Sequence, residues 1–470
     1  MDPIRTQTFV ENMWDETIVP TLSDYIRIPN KSPMFDPDWE KHGYMQQAID
    51  LLDGWCDVPN LANMRREIVN LPGRTPLLFC EIPSTGDSHA TVLLYGHYDK
   101  QPEFDGWREG LEPWKPVIDD GRLYGRGGAD DGYSLFGSLT AIAALEDQGI
   151  PHARCVVIIE GCEESGSYDL PHYIEMLKAR IGTPDLVVCL DSECGNYDQL
   201  WLTTSLRGMI SSELTVKVLT EGVHSGMASG IVPSSFRILR QLLDRIEDAQ
   251  TGKLNERLTV EIPESVRVAA QETAVSLGKD LIHRFPWEGV TQPVATDSAE
   301  LILNNTWRPT LSITGISGAP PVKDAGNTLR PFTSAKLSIR IPPGLNAHSA
   351  ADTLKRLLEN DPPYQSRVNL KLDAAQDGWF APELEPWLRD ALTKASNAFF
   401  QQPMRQMGIG GSIPFMKMLG DSFPGVQFVI TGVLGPHSNA HGPNEFLDIE
   451  TGKRVTSCIA SILADHALRQ

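Results

Sequence analysis

TVLLYGHYDK at residues 91–100 and, beyond a polar loop, LYGRGGADDG at residues 123–132 decide how this chain folds. Val92, Leu93, Leu94 and Tyr95 form a short apolar run of strand-formers, which Gly96 is expected to end. His97 and Asp99 then lie where a buried strand opens into a loop, the place where open α/β sheets carry their chemistry. Residues two apart on an extended chain point the same way. His97 and Asp99 can therefore face one site, with Asp99 either as a ligand or as the carboxylate that orients the imidazole. In the second stretch Gly125, Gly127 and Gly128 permit tight turning, and Asp130 and Asp131 deliver two carboxylates at close quarters. Adjacent acids repel, so such a pair is comfortable only when solvated or when a cation absorbs the charge.

Upstream of this centre, apolar residues at helical spacing predict helices over 6–28 and 38–55, and strands are expected at 65–69 and 77–82 around the Pro72-Gly73 turn. Downstream, 133–148 is rich in small and apolar residues and reads as a helix stopped by Gly149. The apolar strand 155–160 leads into Gly161-Cys162-Glu163-Glu164-Ser165-Gly166. A helix near 170–179 and a strand at 186–190 follow, the strand closing on Asp191-Ser192-Glu193. Buried strands alternating with helices predict an α/β fold with a mostly parallel sheet flanked by helices. After Arg207-Gly208 the pattern alternates polar and apolar, first at 209–219 and again at 311–314, 335–341 and 368–372. With helical stretches at 234–247 and 347–358, this suggests an inserted α+β domain. Residues 250–305 are polar and carry no clear period. Helices at 386–399, 413–419 and 451–468 and a strand at 426–430 return to the first pattern. The expected division is 1–206 and 382–470 for one domain, interrupted by 207–381.

At 470 residues the chain is long for a single core, which agrees with two domains. A hydrophobic content of 41% with 22% charged residues fits a globular protein. The net charge of −20 argues against nucleic acid or anionic membrane as partners, since both need basic patches. The N-terminal residues carry early acids and no apolar core, and no run of 18 apolar residues occurs, so neither a leader nor a membrane span is expected. Seven cysteines at 56, 80, 155, 162, 189, 194 and 458, without a CxxC spacing, suggest a reduced, cytoplasmic protein.

GPHSNAHGPNE at 435–445 follows the last strand and adds His437 and His441 as candidate ligands. Together with His97, Asp99, Asp130, Asp131, Glu163, Glu164 and Asp191 they outnumber what one ion requires. Two divalent ions bridged by one carboxylate need a set of this size. Mixed imidazole and carboxylate donors suit zinc, with manganese or cobalt as alternatives, better than calcium or magnesium. Adjacent side chains on an extended segment point to different sides, so one of Glu163 and Glu164 can bind metal while the other acts as a base. Cys162 sits in apolar surroundings with no basic neighbour, which suits a buried thiol rather than a nucleophile.

HYD at 97–99, LYGRGGADD at 123–131, EGCEESGS at 160–167, Asp191, VHSG at 223–226, GGSIP at 410–414 and AHGPNE at 440–445 occur in an order that resembles the M20 metallopeptidases, in their carnosinase-like dipeptidase branch. The resemblance implies a two-metal catalytic domain interrupted by a lid domain that also makes a homodimer. It casts Asp130 as the bridging carboxylate, with His97 and Asp191 on one metal and Glu164 and His441 on the other. Asp99 becomes the partner of His97 and Glu163 the general base. His224 would reach into the partner subunit's site, Arg340 would bind the substrate carboxylate, and Ser412 beside Gly411 would form the opposite wall. The implied reaction is attack by a metal-bridged hydroxide on the amide of a small peptide with a free carboxylate. An N-acyl amino acid deacylase shares these parts with a different leaving group. A silent metal-stabilised binding protein is a third reading, against which a retained free base at Glu163 counts. Two departures stand out. Gly132 replaces the branch's usual lysine and Gly408-Ile409 an Arg-Glu pair, both removing charge near the rim.

Overall fold

A sheet covered on both faces needs strands whose side chains alternate between two cores, and the central sheet is built that way. The computed structural model describes residues 1–411 and 414–469. The sheet's strands, in chain order, are β1 (Arg65–Val69), β2 (Leu77–Ile82), β3 (Thr91–His97), β4 (Arg154–Glu160), β5 (Leu186–Cys189) and β6 (Gln427–Ile430). They lie side by side as β1-β2-β4-β3-β5-β6. The run β4-β3-β5-β6 is parallel, while β2 is antiparallel to both β4 and β1. Leu94, Val157 and Val188 point into one core and Leu93, Val156 and Val187 into the other. Helices Ser134–Gln148, Pro386–Phe399 and Ile449–Leu468 cover the first face, and Leu170–Ile181 covers the second. The expected α/β architecture, mostly parallel and flanked by helices, is the one found.

Local differences from the sequence reading have local causes. The first helical region runs through a wider turn at Trp14–Ile18, where Val19 N bonds Trp14 O. Next to it stands Pro20, which has no amide to give to Glu16. The helix expected over 38–55 is two helices, Trp39–His42 and Tyr44–Trp55, parted by Gly43 at φ +74°. β3 does not stop at Gly96. It continues to His97, which pairs with Glu160 of β4.

A second, antiparallel sheet orders Thr310–Ser317, Phe332–Ile341, Gly208–Lys217 and Arg367–Gln376 side by side. Ile210, Leu214, Leu337 and Ile339 face helices Ser235–Leu243 and Ala347–Glu359 in their own core. The unpatterned stretch at 250–305 contains helices Glu264–Leu277 and Ser298–Thr306, which pack with Trp201 and Trp307. In the longer of them only Ala270, Thr273 and Leu277 are buried, too thin a stripe to give a readable period. Among the described residues no helix is long and apolar enough to cross a membrane.

Glu160 closes β4 with its carboxyl group buried. One oxygen accepts hydrogen bonds from Tyr95 (2.6 Å) and Ser167 (2.9 Å), and the other has no partner. Burial raises its pKa to about 8, with the Tyr95 hydrogen bond opposing the rise and the Asp99 charge adding to it. The folded chain thus keeps a proton that the unfolded chain releases near 4.5. The stability this group confers is complete at low pH and is lost as pH climbs from about 4.5 to about 8. Its contribution to the unfolding free energy of the metal-free protein should fall by up to about 1.4 kcal/mol per pH unit in that window. Glu160→Gln should flatten the profile by that amount in denaturant titrations, and an unchanged slope would place the proton elsewhere.

Candidate metal centre

Parallel strands release their chain at one edge of a sheet, and four neighbouring strands here deliver chemistry to the same edge. β3 ends on His97, β4 leads to Glu163 and Glu164, β5 leads to Asp191, and β6 leads to the loop that carries His441. Asp130 comes from the glycine turn that precedes helix Ser134–Gln148. His97 Nε2 lies 3.3 Å from Asp130 Oδ1 and 3.7 Å from Asp191 Oδ2. His441 Nε2 lies 3.0 Å from Asp130 Oδ2 and 3.3 Å from Glu164 Oε2. The result is two triads, His97/Asp130/Asp191 and Asp130/Glu164/His441, each with donor atoms within 4.8 Å of one another. Asp130 belongs to both, turning one oxygen to each.

Asp99 arranges these groups from behind. Its backbone carbonyl lies 3.1 Å from His97 Nδ1, leaving Nε2 toward the site. Its carboxylate accepts the amide of Glu163 at 3.0 Å and that of Glu164 at 2.9 Å. Those two acids are therefore not on an extended segment, as the sequence reading had them. They sit on a tight 3-10 turn, Glu163–Ser165, whose leading amides Asp99 satisfies. Glu164 joins a triad, while Glu163 belongs to neither and lines the adjoining cavity. Asp131 is fully buried and turns away, accepting hydrogen bonds from Ser134 and from His97 N at 3.2 Å.

So many carboxylates in one place hold protons when no cation is present. Burial pushes Glu163 and Glu164 well above the carboxylate range, with neighbouring carboxylate charge adding to it, and lifts Asp191 to about 6. Asp130 goes the other way. Burial would raise it too, but hydrogen bonds from His441 and His97 hold it well below. Burial alone would lower His97, yet Asp130, Asp191 and Asp99 raise it well above its ordinary value. Two imidazoles and three carboxylates converging on two adjacent points form a donor set that fits a pair of divalent cations.

The other expected site residues are more scattered. Gly411 lines the cavity, and Ser412 lies outside the described residues. His437 lines the cavity wall but belongs to neither triad. His224 is exposed, on a two-residue strand paired with Thr328, and among the described residues it is not part of that wall. Arg340 stands on Phe332–Ile341, opposite Met209 and Thr310, and also lies outside the wall. Its charge is felt by Arg207, whose pKa falls to about 10 mainly through burial. Arg207 in turn bonds the Gly410 carbonyl at 3.2 Å. Neither Gly132, which is buried, nor Gly408 lines the cavity, and both departures have packing reasons. A β-carbon on Gly132 would come 2.6 Å from Gly127 O and press on the Tyr25 ring, and one on Gly408 would come 2.8 Å from Thr306 Cβ.

Several supporting residues escaped the sequence reading. Gln101 donates to Glu164 Oε2 at 2.6 Å, and its place two residues beyond Asp99 continues the alternation His97, Asp99 that could have revealed it. Arg126 and Glu445 form a buried ion pair. Arg126 also donates to the Gly442 carbonyl at 2.7 Å, and Glu445 accepts Gly127 N at 2.9 Å. The pair thus clamps the Asp130 turn to the His441 loop.

Comparison with known proteins places these features in a family context. The family model described as Peptidase family M20/M25/M40 matches residues 93–465. The cysteinylglycine-S-conjugate dipeptidase of Corynebacterium striatum is 26% identical over 363 residues, covering 76% of this chain and 77% of that protein. The Cys-Gly metallodipeptidase of Saccharomyces cerevisiae is 29% identical over 379 residues, covering 77% and 76%. The solved structure of a di-peptidase from Saccharomyces cerevisiae superposes with a TM-score of 0.76 at 21% identity, over 100% of this chain and 99% of that one. At that identity the likeness speaks for the fold.

Removing one member of a buried ion pair strands a charge and costs about 3–5 kcal/mol, whereas replacing both with apolar groups costs far less. Arg126→Ala and Glu445→Ala should each lower thermal stability and weaken zinc binding to the metal-free protein in calorimetric titrations. Arg126→Met with Glu445→Leu should regain much of the stability without regaining the affinity. Wild-type stability in both single variants would show that the pair does not hold the loops.

Proposed function

The chain belongs to peptidase family M20/M25/M40, and from that premise we propose a metal-dependent dipeptidase whose two divalent cations share Asp130. It hydrolyses the amide bond of dipeptides or short peptides with a free carboxylate. Asp130 carries this assignment, because its oxygens serve two different histidine-carboxylate triads. His97 and Asp191 complete one ion's protein ligands, and Glu164 and His441 the other's. Zinc suits this set, with manganese or cobalt as alternatives. Ions held there supply Lewis-acid polarisation of the scissile carbonyl and a more acidic water. Glu163, left out of both triads, takes the proton of the attacking water and returns it to the leaving nitrogen. Asp99 fixes the His97 ring and the turn that presents Glu163.

The lid of this reading is 207–381, set between catalytic parts 1–206 and 382–470, and it pairs two copies as a homodimer. His224 then completes the site of the partner subunit, a role supported by its exposure and by its absence from this chain's cavity wall among the described residues. Arg340 takes the substrate's terminal carboxylate, with Gly411 and Ser412 opposite. The cysteines are buried as free thiols, which suits a cytoplasmic location.

Glu163→Gln should retain its metal and lose about 10²-fold or more in kcat on dipeptides. His224→Ala should also be inactive. Mixing the two folded variants should restore activity, to about a quarter of wild type for random reassortment of dimers. An unchanged rate in Glu163→Gln would remove its role as base, and no recovery on mixing would remove the cross-subunit role of His224. Turnover of N-acyl amino acids but not dipeptides would move the enzyme to the deacylases.

A further inference from the structure

The cavity beside the triads, about 720 Å³, has a second wall of opposite charge. Arg108, Arg122 and Arg284 line it, and they come from three separate segments of the chain. Each guanidinium lies over an aromatic ring that lines the same cavity. Arg108 is 5.2 Å from the Tyr124 centroid, Arg122 is 4.5 Å from that of Phe446, and Arg284 is 5.3 Å from that of Phe285. Among the described residues none of the three has a carboxylate within 4 Å, although Arg122 meets the Tyr124 hydroxyl and feels the charge of Asp448, and Arg284 feels that of Glu193; Arg284 Nε makes no hydrogen bond. Arginines elsewhere on the molecule behave differently. Arg66, Arg154 and Arg180, for example, are each engaged by carboxylates.

Stacking on a ring fixes the plane of a guanidinium while its N–H groups point along the edge, the arrangement that receives a carboxylate through two parallel hydrogen bonds, and on Arg122 the edge is shared with the Tyr124 hydroxyl. Glu193, which lines the same cavity, acts on Arg284, and Asp448, opposite Arg122 in the strand pair, acts on Arg122, so the two acids offset at most two of the three charges. Two divalent cations would offset most of the acid cluster's charge, and the arginine wall then gives the far side of the cavity a positive face that attracts an anion. Arg340 stands outside this wall, so the wall is not needed for the terminal carboxylate assigned to Arg340 above.

Building on the dipeptidase reading, we propose that Arg108, Arg122 and Arg284 form a subsite for a second carboxylate of the substrate, so that the enzyme selects peptides containing an acidic residue. The test compares Ala-Ala, Asp-Ala, Ala-Asp, Glu-Ala, Ala-Glu and Lys-Ala in kcat/KM at low and high salt. At least one acidic peptide should exceed Ala-Ala by about tenfold or more, mainly through KM, with the gap narrowing at high salt. Arg122→Met and Arg284→Met should bring the acidic-to-neutral ratio toward one. Arg122→Lys, which keeps the charge and loses the fork, should fall between. The same peptides are titrated calorimetrically into metal-loaded Glu163→Gln, where binding is read without turnover. Equal handling of acidic and neutral peptides, or a preference untouched by the arginine changes, would overturn the subsite. Selective binding of acidic peptides with no hydrolysis of any peptide by the wild type would instead overturn the dipeptidase reading and leave the subsite standing.

Discussion

Mutual repulsion among carboxylates at one edge of the central sheet is the constraint around which this chain is built. Asp130, Glu163, Glu164 and Asp191 are carried by three different segments, so no local sequence feature holds them together. What holds them is the tertiary structure behind them. Asp99 ties the His97 strand end to the turn of Glu163 and Glu164. Gln101 reaches Glu164. The Arg126–Glu445 pair joins the Asp130 turn to the His441 loop in a place where neither charge meets water. These contacts stabilise the elements that hold like charges adjacent, and a bound cation would relieve the repulsion that remains.

The parallel sheet supplies the geometry. Four adjacent strands with a common direction deliver their following residues to one line, and the register that sets His97 against Glu160 fixes how far each projects. Helix Ser134–Gln148 shares in this. It is buried along most of its length against the strands and starts immediately after the aspartates, so packing of its small residues positions Asp130. Tyr133 at its start donates to the Leu190 carbonyl at 2.6 Å, linking it to the strand that ends at Asp191.

Much of this was legible in the sequence because both signals are short-range. Runs such as 92–95, 155–160 and 186–190 announce buried strands, and the acids and histidine directly after them mark the edge that carries chemistry. The antiparallel second sheet showed itself through alternation, as in Gly208–Lys217, whose residues are buried at every second position. What stayed hidden depends on contacts between distant residues. His437 and His441 share one loop, and spacing alone does not choose between them; the resemblance favours His441, and the fold sets its Nε2 3.0 Å from Asp130. Glu445 and Arg126 are separated by more than three hundred residues and signal nothing apart. Within 250–305 the longest helix buries only Ala270, Thr273 and Leu277, so it left no readable period, and the cavity contributions of Arg284 and Phe285 went unseen with it. The 3-10 turn at Glu163–Ser165 looks extended in the sequence because its cause, the Asp99 carboxylate, lies 64 residues earlier.

The sharing of Asp130 between two ions is the centre of this account, and elemental mass spectrometry of the purified protein tests it most directly. Wild-type protein reconstituted with zinc or manganese should carry two ions per chain, His441→Ala one, and Asp130→Ala fewer than one. A single ion per chain in the wild type, or two retained by Asp130→Ala, would contradict it.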